Sequence, residues 1–266
     1  MIRKPAVAGQ FYPGNPDKLR DMIDDMIDPA VDKKKAFGII SPHAGFIYSG
    51  EVAGAVFSSV YLPKKFIIFG PNHRGSGPLF SLYEEGAWET PLGNVPIDSE
   101  LVKVLKTNSD LLETDEVSHI YEHSLEVQIP FIQYFIKDFS IVPIAISPYA
   151  TFDQLKELGL AVGKSIKNED VLLIASTDMS HYISQEEAKE KDYFAIEKIL
   201  NLDPEGLFDV VKQKNISMCG FQPTTVVLLA SSLLGASKGE LIKYQTSGDV
   251  SGDYHEVVGY AGIRII

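Results

Sequence analysis

The sequence has a single cysteine among its 266 residues, so no disulfide can form within the chain. A lone thiol is typical of proteins from a reducing compartment, and we expect a cytoplasmic protein. No apolar run reaches the roughly 18 residues of a membrane-spanning helix, and the first sixteen residues lack the apolar stretch of a signal peptide. These absences predict a protein that has no membrane partner.

Positive charge is also scarce. The chain has 24 Lys and Arg residues against 36 Asp and Glu residues, which gives a formal net charge of −12. Nucleic acids attract proteins through basic surfaces, so a nucleic-acid partner is excluded and a small molecule or a peptide is the expected ligand. The hydrophobic content of 45% is enough for a substantial core, while the oligomeric state stays open.

Short apolar segments alternate with helical patterns along the chain. This alternation predicts one domain over residues 1–266, with an α/β fold, a mixed and mostly parallel sheet, and helices on both faces. Pro143 interrupts one segment, so we expect that strand to be at an edge or to carry a bulge. The main apolar segments are 37–41, 66–70, 139–146 and 171–176.

Three of these segments run into polar turns that carry a histidine. His43 follows the first segment, His73 follows the second, and His181 ends the turn after segment 171–176. The carboxyl ends of strands in open α/β sheets are where ligands bind, so we expect the three histidines to converge. Imidazole is the commonest metal ligand in proteins, and His43 and His73 are predicted to share one metal ion.

Two further residues complete the candidate chemistry. Asp178 precedes His181 by three residues and could fix its tautomer, making a general base; the alternative is a helix cap beside a surface histidine. Cys219 lies at the start of a predicted helix, whose N-terminus favours the thiolate; the alternative is a small buried apolar residue. A set of two histidines and one cysteine suits iron, copper or zinc.

Residues 119–123 (HIYEH) match the H-x-x-E-H motif of certain zinc proteases. That motif needs both histidines on one face of a continuous helix, and Pro130 follows soon after. We therefore favour a role for Glu122 or His123 in lining a pocket over a peptidase. His255, in a loop rich in Gly and Asp, is interpreted as a surface residue.

Seven motifs, in order along the chain, resemble those of the Memo family, whose prokaryotic members are labelled AmmeMemoRadiSam system protein B. They are residues 8–13 (AGQFYP), 42–50 (PHAGFIYSG), 70–73 (GPNH), 88–93 (WETPLG), 122–128 (EHSLEVQ), 176–182 (STDMSHY) and 219–220 (CG).

This resemblance implies a fold similar to that of the class III extradiol ring-cleaving dioxygenases. In those enzymes two histidines and a glutamate hold non-haem iron(II), and a further histidine acts as acid and base. By the same motifs, His43 and His73 are the expected metal ligands and Cys219 takes the place of the carboxylate. His181 is the expected acid/base residue, with Asp178 beside it.

The resemblance also suggests that His123 lies at the rim of the pocket. Tyr48, in the expected wall of the cleft, and Arg74, next to His73 in the sequence, are the other residues expected to line it. The implied cofactor is a metal ion, iron or copper first and zinc third. The implied function is a redox or metal-dependent role on an unknown small molecule, in the manner of a dioxygenase-like oxidoreductase. The alternative is a non-catalytic module that uses the same cleft to bind a peptide of the phosphotyrosine type.

Overall fold

The apolar segments of the chain assemble into a nine-stranded sheet in the computed structural model, which describes residues 1–266. Three further strands form a second sheet. The strands are β1 Ile2–Arg3, β2 Gly38–Ser41, β3 Lys65–Pro71, β4 Phe80–Leu82, β5 Ala87–Thr90, β6 Gly93–Pro96, β7 Glu113–Thr114, β8 Ser140–Ile146, β9 Val171–Ser176, β10 His181–Ile183, β11 Gly239–Thr246 and β12 Val257–Ile265.

Ten helices connect and cover these strands, together with a short 3₁₀ turn at Glu126–Gln128. No helix has the length and apolarity needed to cross a membrane. The helices are α1 Pro16–Asp24, α2 Phe46–Ser58, α3 Ser99–Asn108, α4 Val117–Ile120, α5 Ile129–Phe135, α6 Phe152–Ser165, α7 Gln185–Leu200, α8 Pro204–Gln213, α9 Phe221–Leu234 and α10 Gly248–Ser251.

The centre of the large sheet is parallel. Its order is β10-β12-β2-β9-β3-β8-β4-β7, and β11 pairs with β12. Neighbours from β2 to β8 run parallel, whereas β12 and β4 run antiparallel to them. Strands buried along their whole length, such as β9, need cover on both faces. The predicted mixed, mostly parallel α/β fold is confirmed.

Helices cover the sheet from both sides. A Cβ added at Gly38 would lie 2.8 Å from Val227 on α9, and one added at Gly262 would lie 3.0 Å from the Val52 carbonyl on α2. Because Ile265 pairs with Gly38 and side chains alternate along a strand, Gly38 and Gly262 face opposite sides of the sheet. The apolar residues form one continuous core of 62 buried side chains.

The expectation that Pro143 marks an edge or a bulge is wrong, because β8 lies between β3 and β4. The Tyr83 amide donates to the Pro143 carbonyl, so the side of Pro143 that lacks an N–H faces β4. The pairing with β4 ends next to it, at Leu82 and Ile144. A proline is therefore tolerated inside this sheet, since its missing donor lies where the antiparallel ladder stops.

The N-terminal segment is anchored to the domain by one buried carboxylate. Glu126 accepts hydrogen bonds from Arg3 Nη1 at 2.7 Å, the Ala6 amide at 2.7 Å, the Val7 amide at 3.1 Å and the Tyr12 hydroxyl at 2.6 Å. Both charged side chains of the pair are almost completely buried. The ion pair and its three further hydrogen bonds therefore fix the path of the segment over the core.

We expect Glu126→Gln to lower the free energy of unfolding by about 3–5 kcal/mol, because it leaves the buried Arg3 charge without a partner. Urea unfolding followed by circular dichroism measures this loss. Glu100→Gln is the control, since Glu100 pairs with Lys103 on the exposed surface and should leave the unfolding midpoint unchanged. Equal midpoints for the two variants would contradict the anchoring role of Glu126.

A candidate metal centre

The carboxyl ends of β2, β3 and β9 open into a cleft of about 510 Å³. His43, His73 and Asp178 each lie two residues beyond one of these strands. His181 and Cys219 line the same cleft. The strand-end residues singled out in the sequence are therefore brought together at one edge of the sheet, where open α/β folds bind their ligands.

Three histidines form the densest cluster in the cleft. One ring nitrogen each of His43, His73 and His123 lies within 4.8 Å of the others. The ring centroids of His43 and His73 are 5.2 Å apart, and those of His73 and His123 are 4.8 Å apart with nearly parallel planes. His43 is buried, while the side chains of His73 and His123 are 33% and 24% exposed. This set could hold a metal ion.

Hydrogen bonding fixes the protonation state of His43. Ser176 Oγ donates its only proton to the Ser124 carbonyl at 2.6 Å and accepts from Gln128 Nε2 at 2.8 Å. His43 Nδ1 lies 3.0 Å from the same oxygen, so Nδ1 must carry the proton and Nε2 is free. Burial, with the nearby histidines, lowers the pKa of His43 and keeps it in the neutral form that binds metals.

Glu122 lies beside the other two imidazoles of the cluster. Its Oε1 lies 2.9 Å from His73 Nδ1 and 3.6 Å from His123 Nδ1. Burial by itself raises the pKa of Glu122, but the hydrogen bond and charge of His73, the His123 charge and the Ser124 amide lower it to about 2. The carboxylate is thus ionised and can only accept, so His73 donates through Nδ1, and its neutral imidazole leaves Nε2 free.

The pKa values of these two histidines move in opposite directions. Burial lowers the pKa of His73, but the hydrogen bond and charge of Glu122 outweigh it and the net shift is upward. Burial lowers the pKa of His123 to about 4, against the attraction of Glu122. Without a metal ion, His73 therefore takes up a second proton, and becomes positively charged, more readily than His123.

The expected pairing of Asp178 with His181 is wrong. Asp178 Oδ1 accepts from the His43 amide at 2.7 Å, so its carboxylate is directed to the neighbouring strand end. Ser217 holds His181 instead: its Oγ accepts from the His181 amide at 2.7 Å, and its carbonyl accepts from Nδ1 at 2.9 Å. A carbonyl cannot donate, so Nδ1 of His181 carries a proton, and in the neutral imidazole Nε2 is the nitrogen available as a base.

Cys219 lies beside His43, with Sγ 3.2 Å from Nε2. Gly220 permits this approach, since a Cβ there would lie 2.4 Å from the Ser176 carbonyl. Burial and the negative charge of Asp178 raise the pKa of the thiol, which opposes the effect expected from the start of α9. A metal ion bound by Cys219 must therefore displace a proton.

Two residues expected to line the pocket lie outside the cleft lining. Tyr48, in the first turn of α2, is 43% exposed. The Arg74 guanidinium packs over the ring of Tyr121, with 5.1 Å between its central carbon and the ring centroid. Asn72 Oδ1 accepts from the Arg74 amide and fixes the turn that carries it. Arg74 follows His73 in the sequence, but it does not line the cleft that contains the His73 ring.

The H-x-x-E-H segment does not form the helix that a zinc protease requires, because α4 ends at Ile120. His119 is completely buried and its Nε2 donates to the Ser81 carbonyl at 3.1 Å.

Gln128, Ser176 and Ser217, which support the cleft histidines, were missed by sequence reasoning. Gln128 and Ser176 lie in the family motifs, which could have indicated their role. No motif includes Ser217, so nothing in the sequence indicated its role.

The fold and the cleft define an α/β protein with a histidine-rich candidate metal centre at the ends of its parallel strands. A family model described as Memo-like protein matches residues 3–264. The chain belongs to this family, and the family expected from the sequence motifs is confirmed.

Related proteins match along the whole chain. The chain is 43% identical to a MEMO1 family protein of Aquifex aeolicus over 266 residues, which cover 98% of each chain. It is 42% identical to a MEMO1 family protein of Methanothermobacter thermautotrophicus over 275 residues, which cover 98% of this chain and 99% of that one.

A solved structure shares the fold. It is the crystal structure of the uncharacterized protein JW3007 from Escherichia coli K12, with a TM-score of 0.57 at 11% sequence identity. The match covers 84% of this chain and 98% of the other. At this level of identity the likeness concerns the fold alone.

His119 makes the stability of the protein depend on pH. Burial lowers its pKa from 6.5 to about 4, so the unfolded chain binds more protons than the folded one between these values. His119 therefore contributes stability above pH 6.5 that is lost as the pH falls towards 4, by up to about 3 kcal/mol. We expect His119→Gln, whose amide can still donate to Ser81, to lose less stability over this interval.

Urea unfolding of both proteins at several pH values measures this difference. His255→Gln, at an exposed position, is the control and should follow the wild type. Parallel curves for His119→Gln and wild type would show that His119 is not the group responsible.

Proposed function

We propose that this protein binds a transition-metal ion in the cleft through His43, His73 and Cys219, and uses it in a redox role on a small molecule. One observation carries the proposal. The Nδ1 atoms of His43, His73 and His181 each meet an oxygen that has no proton to give, so in the neutral form each of the three imidazoles carries its proton on Nδ1 and leaves Nε2 free around one cleft. Unprotonated imidazole nitrogen is both a metal ligand and a base.

The donor set favours iron or copper, with zinc as a third candidate, because imidazole and thiolate suit all three. His43 is suited to be a metal ligand because it is buried and its tautomer leaves Nε2 free. Cys219 lies against the free nitrogen of His43 and supplies the soft donor. His123 belongs to the same cluster and offers a further imidazole.

When bound, iron or copper would supply electron transfer and Lewis acidity. His181 accepts a proton from a bound molecule at Nε2, while the Ser217 carbonyl holds the proton on Nδ1. Asp178 keeps the His43 backbone in place through its amide. Phe11 and Val258 form apolar parts of the wall, which limit water next to the reacting groups.

Peptide binding without turnover is the second candidate. The cleft is large enough for one side chain, and Tyr182, on its wall, is 73% exposed and could contact a peptide. For a phosphotyrosine the cleft offers histidines only, since Arg74 packs on Tyr121 outside it. Affinity for a phosphotyrosine peptide that persists after metal removal, and is lost in His181→Ala, would favour this function over the first.

The first test is metal loading of protein purified without a histidine tag. We expect one equivalent of iron, copper or zinc per chain by elemental analysis, and loss of this equivalent in His43→Ala, because a buried ligand is removed. His255→Ala, which changes an exposed histidine, should keep full loading. No binding of any of the three metals, or equal loading of His43→Ala and wild type, would refute the metal site.

A second test concerns the cysteine. We expect Cys219→Ser to weaken metal binding by more than the roughly 10–100-fold typical of outer-shell changes, since a direct ligand is lost. Cobalt(II)-loaded wild type should show thiolate charge-transfer absorption that is absent in Cys219→Ser and present in His123→Asn. If the absorption is missing from the wild type, Cys219 is not a ligand.

A further inference from the structure

The Glu122 carboxylate has no exposed surface, yet the proposed chemistry assigns it no role. It lies directly behind two members of the histidine cluster. We infer that Glu122 is a positioning residue, which holds His73 so that its imidazole offers Nε2 to the metal, and which lies beside His123 without bonding it. This inference rests on the proposed function, and it reassigns the glutamate of the H-x-x-E-H segment from general base to support of the ligands.

Every group that meets this carboxylate is a donor. Oε2 accepts from the His73 amide at 2.9 Å, and Oε1 accepts from His73 Nδ1 and from the Ser124 amide, both at 2.9 Å. Only a side chain with two accepting oxygens satisfies all three bonds. An amide at position 122 would turn its NH₂ group towards at least one of these donors, which leaves a buried conflict.

Glu122 accepts two hydrogen bonds from His73. Glu122 bonds both the backbone amide and the ring of His73, so the ring is fixed relative to the end of β3. The hold on His123 is looser, since 3.6 Å exceeds a hydrogen bond. The His123 ring is instead stacked on His73 and lies 4.8 Å from Phe11. Loss of the carboxylate should therefore disturb His73 more than His123.

The segment that carries Glu122 is itself fixed. Arg3 Nη2 donates to the Glu122 carbonyl and Arg3 Nε to the His119 carbonyl, both at 2.7 Å. The Arg3 guanidinium also packs over the ring of Trp88, 4.1 Å from its centroid. The carboxylate thus has a rigid backbone, which is what a residue needs to orient a neighbouring ligand to within a fraction of an ångström.

The first arm of the test measures affinity for zinc ions by competition with a chromophoric chelator. We expect Glu122→Gln to bind zinc about 10–100-fold more weakly than wild type, the usual effect of losing an outer-shell partner. Asp192→Asn is the matched control, because Asp192 is a buried carboxylate that bonds Ser180 and Tyr244 instead. Its affinity should equal that of the wild type.

The second arm uses metal-free protein labelled with ¹⁵N-histidine, at alkaline pH where the imidazoles are neutral. Long-range ¹H–¹⁵N spectra report which ring nitrogen carries the proton. We expect His73 to be protonated at Nδ1 in wild type and in Asp192→Asn, and to lose this preference in Glu122→Leu, which has no acceptor. Circular dichroism shows whether each variant is folded.

The two arms separate this inference from the proposed function. If no variant and no wild-type protein binds zinc, iron or copper, the proposed function fails, while the tautomer of His73 still tests the role of Glu122. An unchanged His73 tautomer in folded Glu122→Leu overturns the inference. Wild-type zinc affinity in Glu122→Gln overturns it as well.

Discussion

The cleft depends on hydrogen-bond partners that can only accept. A neutral imidazole has one proton, and a partner without a proton to give decides where it sits. Ser176 becomes such a partner because its proton is committed to the Ser124 carbonyl, Glu122 because it is ionised, and Ser217 because it uses its carbonyl. Three different oxygens thus produce the same result, a proton on Nδ1 and a free Nε2.

This constraint links the cleft to the rest of the fold. Gln128 Nε2 bonds both Ser176 and the Pro42 carbonyl, which joins the 3₁₀ turn to the end of β2. Two residues earlier, Glu126 anchors the N-terminal segment that brings Phe11 to His123. Residues 122–128 therefore support both the imidazoles and one wall of the cleft. These contacts explain why this short motif has polar side chains that are buried in the core.

The sequence was sufficient for the parts of the site that follow from local pattern. His43 and His73 could be located because apolar strands end just before them, and parallel strands end at one edge. Asp178 was assigned to His181 because the two are close in the chain, but β10 starts at His181 and turns it towards Ser217, 36 residues away. Contacts of this kind are set by tertiary packing, so neither Ser217 nor Gln128 could be identified from spacing.

Burial keeps most of the titratable groups of the cleft uncharged, with Glu122 and His73 as the exceptions. Burial lowers the pKa values of His43 and His123 and raises that of Cys219, so each of these groups is driven to its uncharged form. The negative charge of Glu122 is balanced by hydrogen bonds from its surroundings. An entering cation would find the neutral imidazoles of His43 and His123, and a thiol whose release of a proton supplies a compensating negative charge. The protonated thiol is therefore compatible with a ligand role, because the same burial that protects the proton strengthens the attraction between a cation and the thiolate that replaces it.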